Sequence, residues 1–144
     1  VGLGGEDIEG RALTVYFKGL VITTAYTPCS QISEECEIND VRKTFDRKLR
    51  KHMNSRRLEV DEEGNLRTVI LMGDLNVARR ESDCWLSANK QKDWPGCRPY
   101  ERESIEKLIK ECNMEDMAWK TDGLNAKHTW FKNWWCKSKQ LGMR

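Results

Sequence analysis

The sequence is poor in the features that would place it in a special class. It has only 2 histidines, and its 6 cysteines, at 29, 36, 84, 97, 112 and 136, include no Cys-x-x-Cys pair and no paired His-Cys spacing. A structural zinc site, which needs such clustered ligands, is therefore not expected. No apolar run approaches the length of about 20 residues that crosses a bilayer, so the chain is not read as a membrane protein. No basic stretch leads into an apolar segment at the start; a secretory signal is not expected, and the thiols should be reduced, as in an intracellular protein. Net charge is lacking too, since 25 basic and 23 acidic residues nearly cancel to +2. Bulk charge thus announces no nucleic-acid partner, and any such contact must come from local patches. Internal repeats and low-complexity tracts are also missing.

What remains is an alternation of short apolar segments. At 144 residues the chain can bury one real core, because a domain of about 150 residues hides roughly 70% of its unfolded surface. Residues 1–144 are expected to be a single domain, incomplete at both ends: the chain opens on Val1-Gly2-Leu3-Gly4-Gly5 and stops at Leu141-Gly142-Met143-Arg144 with no visible cap. In residues 12 to 17, Leu13, Val15 and Phe17 alternate with Thr14 and Tyr16, the period of a half-buried strand. Lys18-Gly19 predicts a turn, and Leu20 to Tyr26 a second, more buried strand completing a hairpin that Pro28 ends.

Val41, Phe45, Leu49 and Met53 then recur every fourth residue, which predicts an amphipathic helix whose basic residues Arg42, Lys43, Arg47, Lys48, Arg50 and Lys51 form a solvated face. Asn39 or Asp40 is placed to cap it. Residues 54 to 67 are charged and predict a mobile surface loop. Thr68 to Met72, stopped by Gly73, has the pattern of a central strand covered on both faces. A helix over about 100 to 112 follows from Ile105, Leu108, Ile109 and Cys112, with Pro99 at its entry. Lys127 to Trp135, rich in Thr and aromatics, predicts a strand or a strand-to-loop transition.

The segment that could do chemistry is Gly73-Asp74-Leu75-Asn76. Two polar side chains one residue apart at the end of a buried strand emerge on the same side of an extended backbone. Asp74 could act there as a general base and Asn76 as an amide donor. Asp-x-Asn is also ordinary turn or cap chemistry, and alone it does not decide between the two.

The surrounding segments do, because they resemble the exonuclease III type of abasic-site (AP) endonuclease in the endonuclease/exonuclease/phosphatase superfamily. Gly2-Leu3-Gly4 with Glu9-Gly10-Arg11 looks like that family's strand and turn before E-G-R, and Thr24 to Pro28 like its Tyr-x-Pro segment. Arg42 to Asp46 resembles an R-x-x-W/F-D helix, and Val69 to Ala78 resembles V-I-L-x-G-D-L-N-V-A. Pro95 to Glu103 is similar to the loop and helix containing P-x-E-R, while Thr129-Trp130 and Gly142-Met143-Arg144 resemble T-F/W and G-W-R. The resemblance runs over nearly the whole chain.

It implies an α/β fold, part of a four-layer α/β/β/α sandwich of the DNase I-like type that lacks N- and C-terminal strands. It also implies hydrolysis of the phosphodiester 5′ to an abasic site in double-stranded DNA, with Mg2+ or Mn2+, by a monomer in the nucleus of a eukaryote or the cytoplasm of a bacterium. Asp74 would align or deprotonate the attacking water, Asn76 would donate to the phosphate and help orient that base, and Tyr26 would place its hydroxyl on the phosphate or on the metal-bound water. Trp130 and Met143 resemble the apolar pocket positions that receive an extruded sugar. The tryptophans at 85, 94, 134 and 135 read as packing or as DNA-backbone stacking.

Departures from the family are equally specific. Its metal-binding Glu and an accompanying Asn would precede Val1, and its second Asp and Ser-Asp-His would follow Arg144, so no metal ligand is assigned within the chain. His52 and His128 lie in other contexts and read as structural or surface residues. Asn-Pro-Lys is replaced by Asn89-Lys90-Gln91, which leaves Asn89 as the candidate phosphate contact, and Ile32 stands where the family can insert an Arg into DNA. Asp83 reads as an exposed helix or turn carboxylate. The 144 residues alone are expected neither to fold well nor to cleave. Competing readings are a retrotransposon endonuclease, a lipid or inositol phosphodiesterase, and a non-catalytic DNA-binding product.

Overall fold

A computed structural model of the protein describes residues 3, 9–30, 37–125, 127–131, 134–139 and 142–143. The chain divides into two compact units, residues 1–29 with 35–76, and residues 30–34 with 77–144.

The first unit is a three-stranded sheet with one long helix. Strands β1 (Ala12–Phe17) and β2 (Leu20–Tyr26) form the expected antiparallel hairpin, paired from Ala12↔Ala25 to Phe17↔Leu20. Gly19 turns it with φ +68°, a conformation that costs residues other than glycine a steric penalty. Strand β3 (Thr68–Asp74) joins β2 in parallel, giving the order β1-β2-β3. Among the described residues β2 is therefore the central strand and β3 an edge. The sequence had suggested a central β3 covered on both faces; instead Ile70 is 41% and Met72 55% exposed.

The hairpin also turns over the expected face of β1. Leu13, Val15 and Phe17 are exposed, whereas Ala12 and Thr14 are buried. The polar face can be the inner one because its hydroxyls are satisfied: Thr14 Oγ1 lies 3.0 Å from Thr23 Oγ1 and 2.8 Å from His52 Nε2. His52 belongs to helix α1 (Glu37–Arg56), which sets Phe45, Leu49 and Met53 into the core. Burying each such side chain stabilises the unit by about 1.5–3 kcal/mol. Val41, the first member of the predicted stripe, is exposed, and the neighbouring Arg42 is buried in its place. Because α1 includes residues 39 and 40, neither Asn39 nor Asp40 is its cap; Asp40 pairs with Lys43 instead.

Residues 54 to 67 are more ordered than a plain loop. The helix continues to Arg56, Val60 bridges Leu66, and Asp61 Oδ1 accepts the N–H groups of Glu63 and Asn65.

In the second unit, α2 (Ala88–Gln91), α3 (Pro99–Glu111) and α4 (Met117–Asp122) precede a small antiparallel pair, β4 (Trp130–Phe131) and β5 (Gly142–Met143). A short helix, α5 (Trp134–Ser138), lies between those strands; the sequence pattern predicts a strand or a strand-to-loop transition over 127–135, and the strand there is Trp130–Phe131. Pro99 sits at the first turn of α3 as predicted. The fully buried Glu101 accepts the Arg98 N–H at 3.0 Å and the Ser30 hydroxyl at 2.6 Å. Its carboxylate thus caps the helix start, where negative charge is stabilised. Among the described residues no helix is long and apolar enough to cross a membrane.

Candidate active site

Parallel pairing of β2 with β3 places Tyr26 directly opposite Asp74, at the C-terminal ends of both strands. The approach is close: a Cβ at Gly73, where φ is +124°, would come within 2.2 Å of the Ala25 carbonyl oxygen. Glycine at this position is thus required sterically as well as by its dihedral. The exposed Tyr26 ring carries the Arg11 guanidinium 5.2 Å from its centroid, and Arg11 also pairs with Glu9. Glu9-Gly10-Arg11 therefore supports the tyrosine.

After Asp74 the backbone does not stay extended. Asp74 Oδ1 accepts the Asn76 N–H at 3.1 Å, and Asn76 has φ +46°. This is an Asx turn, so the expected extended presentation of both side chains is replaced by a bend closed by Asp74 itself. The Asn76 amide reaches across to Thr27, donating from Nδ2 to the carbonyl at 2.8 Å, while the Thr27 N–H donates to the Asp74 carbonyl at 2.9 Å. The structure thereby gathers Tyr26, Asp74 and Asn76 into one group. An amide nitrogen has two hydrogens, so the bond to Thr27 leaves Asn76 a second one with which to donate.

Arg42 holds this group from beneath and was misread from sequence. It is 2% exposed, not solvated. Its Nε donates to both oxygens of Asp46 at 3.0 and 3.1 Å, Nη1 to the carbonyls of Pro28 at 3.1 Å and Asn76 at 2.9 Å, and Nη2 to the Leu75 carbonyl at 3.2 Å. One guanidinium thus ties the Tyr-x-Pro segment to the Asp-Leu-Asn turn. Only arginine offers donors in such a rigid fork. The signal that could have found it was the i,i+4 spacing of Arg42 and Asp46 on a face shared with Phe45 and Leu49.

The remaining candidates lie in the second unit. Trp130 pairs directly with Met143 across β4 and β5, and the Thr129 N–H donates to the Met143 carbonyl at 2.9 Å. Trp130 is 44% exposed and Met143 half-buried. Asn89 sits exposed on α2, and its Oδ1 accepts from Ser87 Oγ at 2.7 Å; that bond is local and does not join it to the Trp130–Met143 pair. Asp83 is buried, not exposed, and accepts the Arg80 N–H at 2.9 Å to close a 3-10 turn. Arg79 and Arg80 are likewise engaged: Arg79 with Glu106 and Asp116, Arg80 with Asp116 and, 3.8 Å above its ring, Trp119. Hydrogen bonding to Glu106 and Asp116 raises the Arg79 pKa, and Arg79 in turn lowers that of Glu106. Trp94 walls a core, Trp85 is exposed, and the Ile32, Trp134 and Trp135 side chains lie outside the described residues.

A divalent cation needs several oxygen ligands. Among the described residues no three of His, Cys, Asp and Glu come together, and the Tyr26 group contains one carboxylate, Asp74. The described residues do not build a metal centre by themselves.

No protein-family model matches the chain. Its structure aligns over 96% of its length with 51% of a 3′ phosphatase, NExo from Neisseria, bound to product DNA hairpin, at a TM-score of 0.80 and 18% identity. That match establishes the DNase I-like α/β fold. In sequence, the chain is 28% identical over 131 residues to an exodeoxyribonuclease of Bacillus subtilis (strain 168), covering 91% of this chain and 48% of that protein. It is 34% identical over 110 residues to the DNA repair nuclease APEX1 of Danio rerio, covering 75% of this chain and 32% of that one. The chain is thus similar to an exodeoxyribonuclease and to a DNA repair nuclease, and it spans at most about half the length of the curated relatives it matches.

Proposed function

We propose that the protein carrying this chain is a DNA phosphodiester hydrolase that cuts 5′ to abasic sites in double-stranded DNA during base excision repair. The observation that supports this reading best is the grouping of Tyr26, Asp74 and Asn76 at the ends of two parallel strands, where catalytic groups commonly sit. Asp74 is the general base that aligns and deprotonates the attacking water. Asn76, anchored to Thr27 through one hydrogen, gives the other to a phosphate oxygen, and the Tyr26 hydroxyl gives a second donor. Such donors act because they are fixed before negative charge builds in the transition state. Trp130 and Met143 form the apolar wall that accepts the extruded abasic sugar, and Asn89 contacts the phosphate backbone. A Mg2+ or Mn2+ ion would supply charge neutralisation at the phosphate; no ligand for it is assigned within these 144 residues. The enzyme acts as a monomer, in the nucleus if eukaryotic and in the cytoplasm if bacterial.

The experiment is cleavage by the full-length protein, in magnesium, of an abasic duplex, an intact duplex and a duplex with a 3′-phosphate. Preferential incision of the abasic duplex, abolished by Asp74→Ala, is expected. Preference for the intact duplex or the 3′-phosphate would replace the abasic-site reading with an exonuclease or phosphatase one. Metal-independent binding with no cleavage of any substrate would leave a DNA-binding role alone.

A further inference from the structure

The Glu9-Gly10-Arg11 turn has no task in the proposed hydrolysis, yet it ends beside Tyr26. The β1–β2 ladder, whose outermost pair is Ala12↔Ala25, gains one more step because the Tyr26 N–H donates to the Arg11 carbonyl at 2.8 Å. That bond puts Arg11 across from Tyr26 on one side, while the parallel register puts Asp74 across from it on the other. Side chains opposite one another in a sheet emerge on the same face. Arg11, Tyr26 and Asp74 therefore form one row, a cation, a phenol and a carboxylate, at the end of the sheet.

We infer that Arg11 is a positioning residue that holds the Tyr26 ring in line with Asp74, so that the phenol meets a phosphate in one fixed orientation. The inference rests on the reading of Tyr26 as a phosphate donor. Tyr26 stands on the open face of the sheet and is 57% exposed, so packing alone does little to select one of its staggered rotamers. The Arg11 guanidinium supplies that selection. Its carbon lies over the ring, 5.2 Å from the centroid, inside the distance of about 6 Å at which a cation is drawn to an aromatic face.

The guanidinium is held at two other points. Nε donates to a Glu9 carboxylate oxygen, and Nη1 reaches the Tyr26 carbonyl at 3.5 Å, so the cation is tied to the backbone of the residue whose ring it covers. Gly10, at φ +63°, bends the chain between Glu9 and Arg11, a conformation that suits glycine. The Arg11 side chain is 24% exposed and that of Glu9 60%: the carboxylate faces water while the guanidinium lies against the sheet. A planar guanidinium can stack on a ring and hydrogen-bond at its edge together, which an ammonium cannot reproduce. A donor that must stay still while negative charge builds gains from such fixing, and its misplacement acts on the chemical step.

The test uses the full-length protein and an abasic duplex in magnesium, in a double-mutant cycle with Tyr26→Phe, which keeps the ring and removes the hydroxyl. Arg11→Ala should lower kcat by about 2- to 30-fold, the factor equivalent to one cation–π contact, with KM nearly unchanged. Arg11→Lys should recover part of that loss. In the Tyr26→Phe background, where no hydroxyl is left to place, Arg11→Ala should have almost no further effect. The same fold-loss in both backgrounds would overturn the inference while leaving the nuclease reading intact. A second measurement does not depend on cleavage. With 3-fluorotyrosine at position 26, the 19F resonance of the folded protein should be displaced from that of the unfolded protein, and Arg11→Ala should move it back with the far-UV circular dichroism unchanged. If the wild-type protein cleaves no duplex, the nuclease reading fails and the resonance decides the placement of the ring; a resonance that Arg11→Ala leaves where it was overturns the inference in either case.

Discussion

The two candidate regions are held in place by different physics. Around Tyr26, Asp74 and Asn76 the fixing forces are directional: an Asx turn, a side-chain amide on a carbonyl, and a buried guanidinium that donates to three carbonyls and a carboxylate. Around Trp130 and Met143 they are apolar packing and sulfur contacts beneath strands of two residues each. Hydrogen-bonded geometry tolerates little displacement before its bonds fail, whereas an apolar wall can shift and repack. The first arrangement suits the alignment of a water against a phosphate. On the proposed function, the second would suit acceptance of an abasic sugar by shape and not by hydrogen bonding.

Breaking the directional region should have the larger effects. Asp74→Ala in the full-length protein should lower the cleavage rate by about 10² to 10⁴, the usual cost of losing a positioned general base. Stability should change little, because Asp74 is exposed. A rate within a factor of two of wild type would remove Asp74 from the mechanism.

Next comes Arg42. Arg42→Gln removes the guanidinium that donates to both oxygens of Asp46, a carboxylate only 9% exposed, and breaking such a buried pair costs about 3–5 kcal/mol in denaturant unfolding. Arg42→Lys keeps the charge but loses the fork. It should fold better than Arg42→Gln while kcat falls by up to about 10², with KM nearly unchanged, because misplacement of a catalytic group acts on the chemical step. Full kcat in Arg42→Lys would reduce Arg42 to a purely structural role.

The apolar region should answer more mildly. Trp130→Ala should weaken binding to an abasic duplex by about 1–3 kcal/mol, the range for losing an aromatic stacking contact. Binding to intact duplex should change less. Equal losses on both duplexes would place Trp130 on the backbone and not in an abasic pocket.

The same contrast explains what could be read from the sequence. The β1–β2 hairpin, α1, β3 and the proline-led α3 were legible because periodicity and turn residues act locally, and Gly73-Asp74-Leu75-Asn76 was legible as a motif. The inner face of β1 was not, because the pattern Leu13, Val15, Phe17 points one way while a Thr23–Thr14–His52 hydrogen-bond chain points the other. Arg42 was read with the solvated basic residues for the same reason: what buries it is a set of carbonyls contributed by residues 28, 75 and 76. Nor could spacing show that Cys84 and Cys97 share one core. In each case a partner distant in sequence satisfied a polar group that composition alone would have left at the surface.

His52 gives the finest test of that point. Its ring is bonded to Thr14, and burial first, then the neighbouring Arg56, lowers its pKa below the ordinary 6.5, with Glu59 opposing. The folded state therefore takes up a proton less readily than the unfolded chain. As pH falls below about 6.5 the unfolded chain binds protons first, so the stability contributed by neutral His52 is full above that pH and is lost progressively down to the folded-state pKa. Unfolding curves of the full-length protein from pH 7.5 to 5 should show this as a slope that flattens in His52→Gln, whose amide can still bond Thr14 but does not titrate. If both proteins lose stability in parallel across that range, His52 is not the titrating group and the polar inner face of β1 is held by the threonines alone.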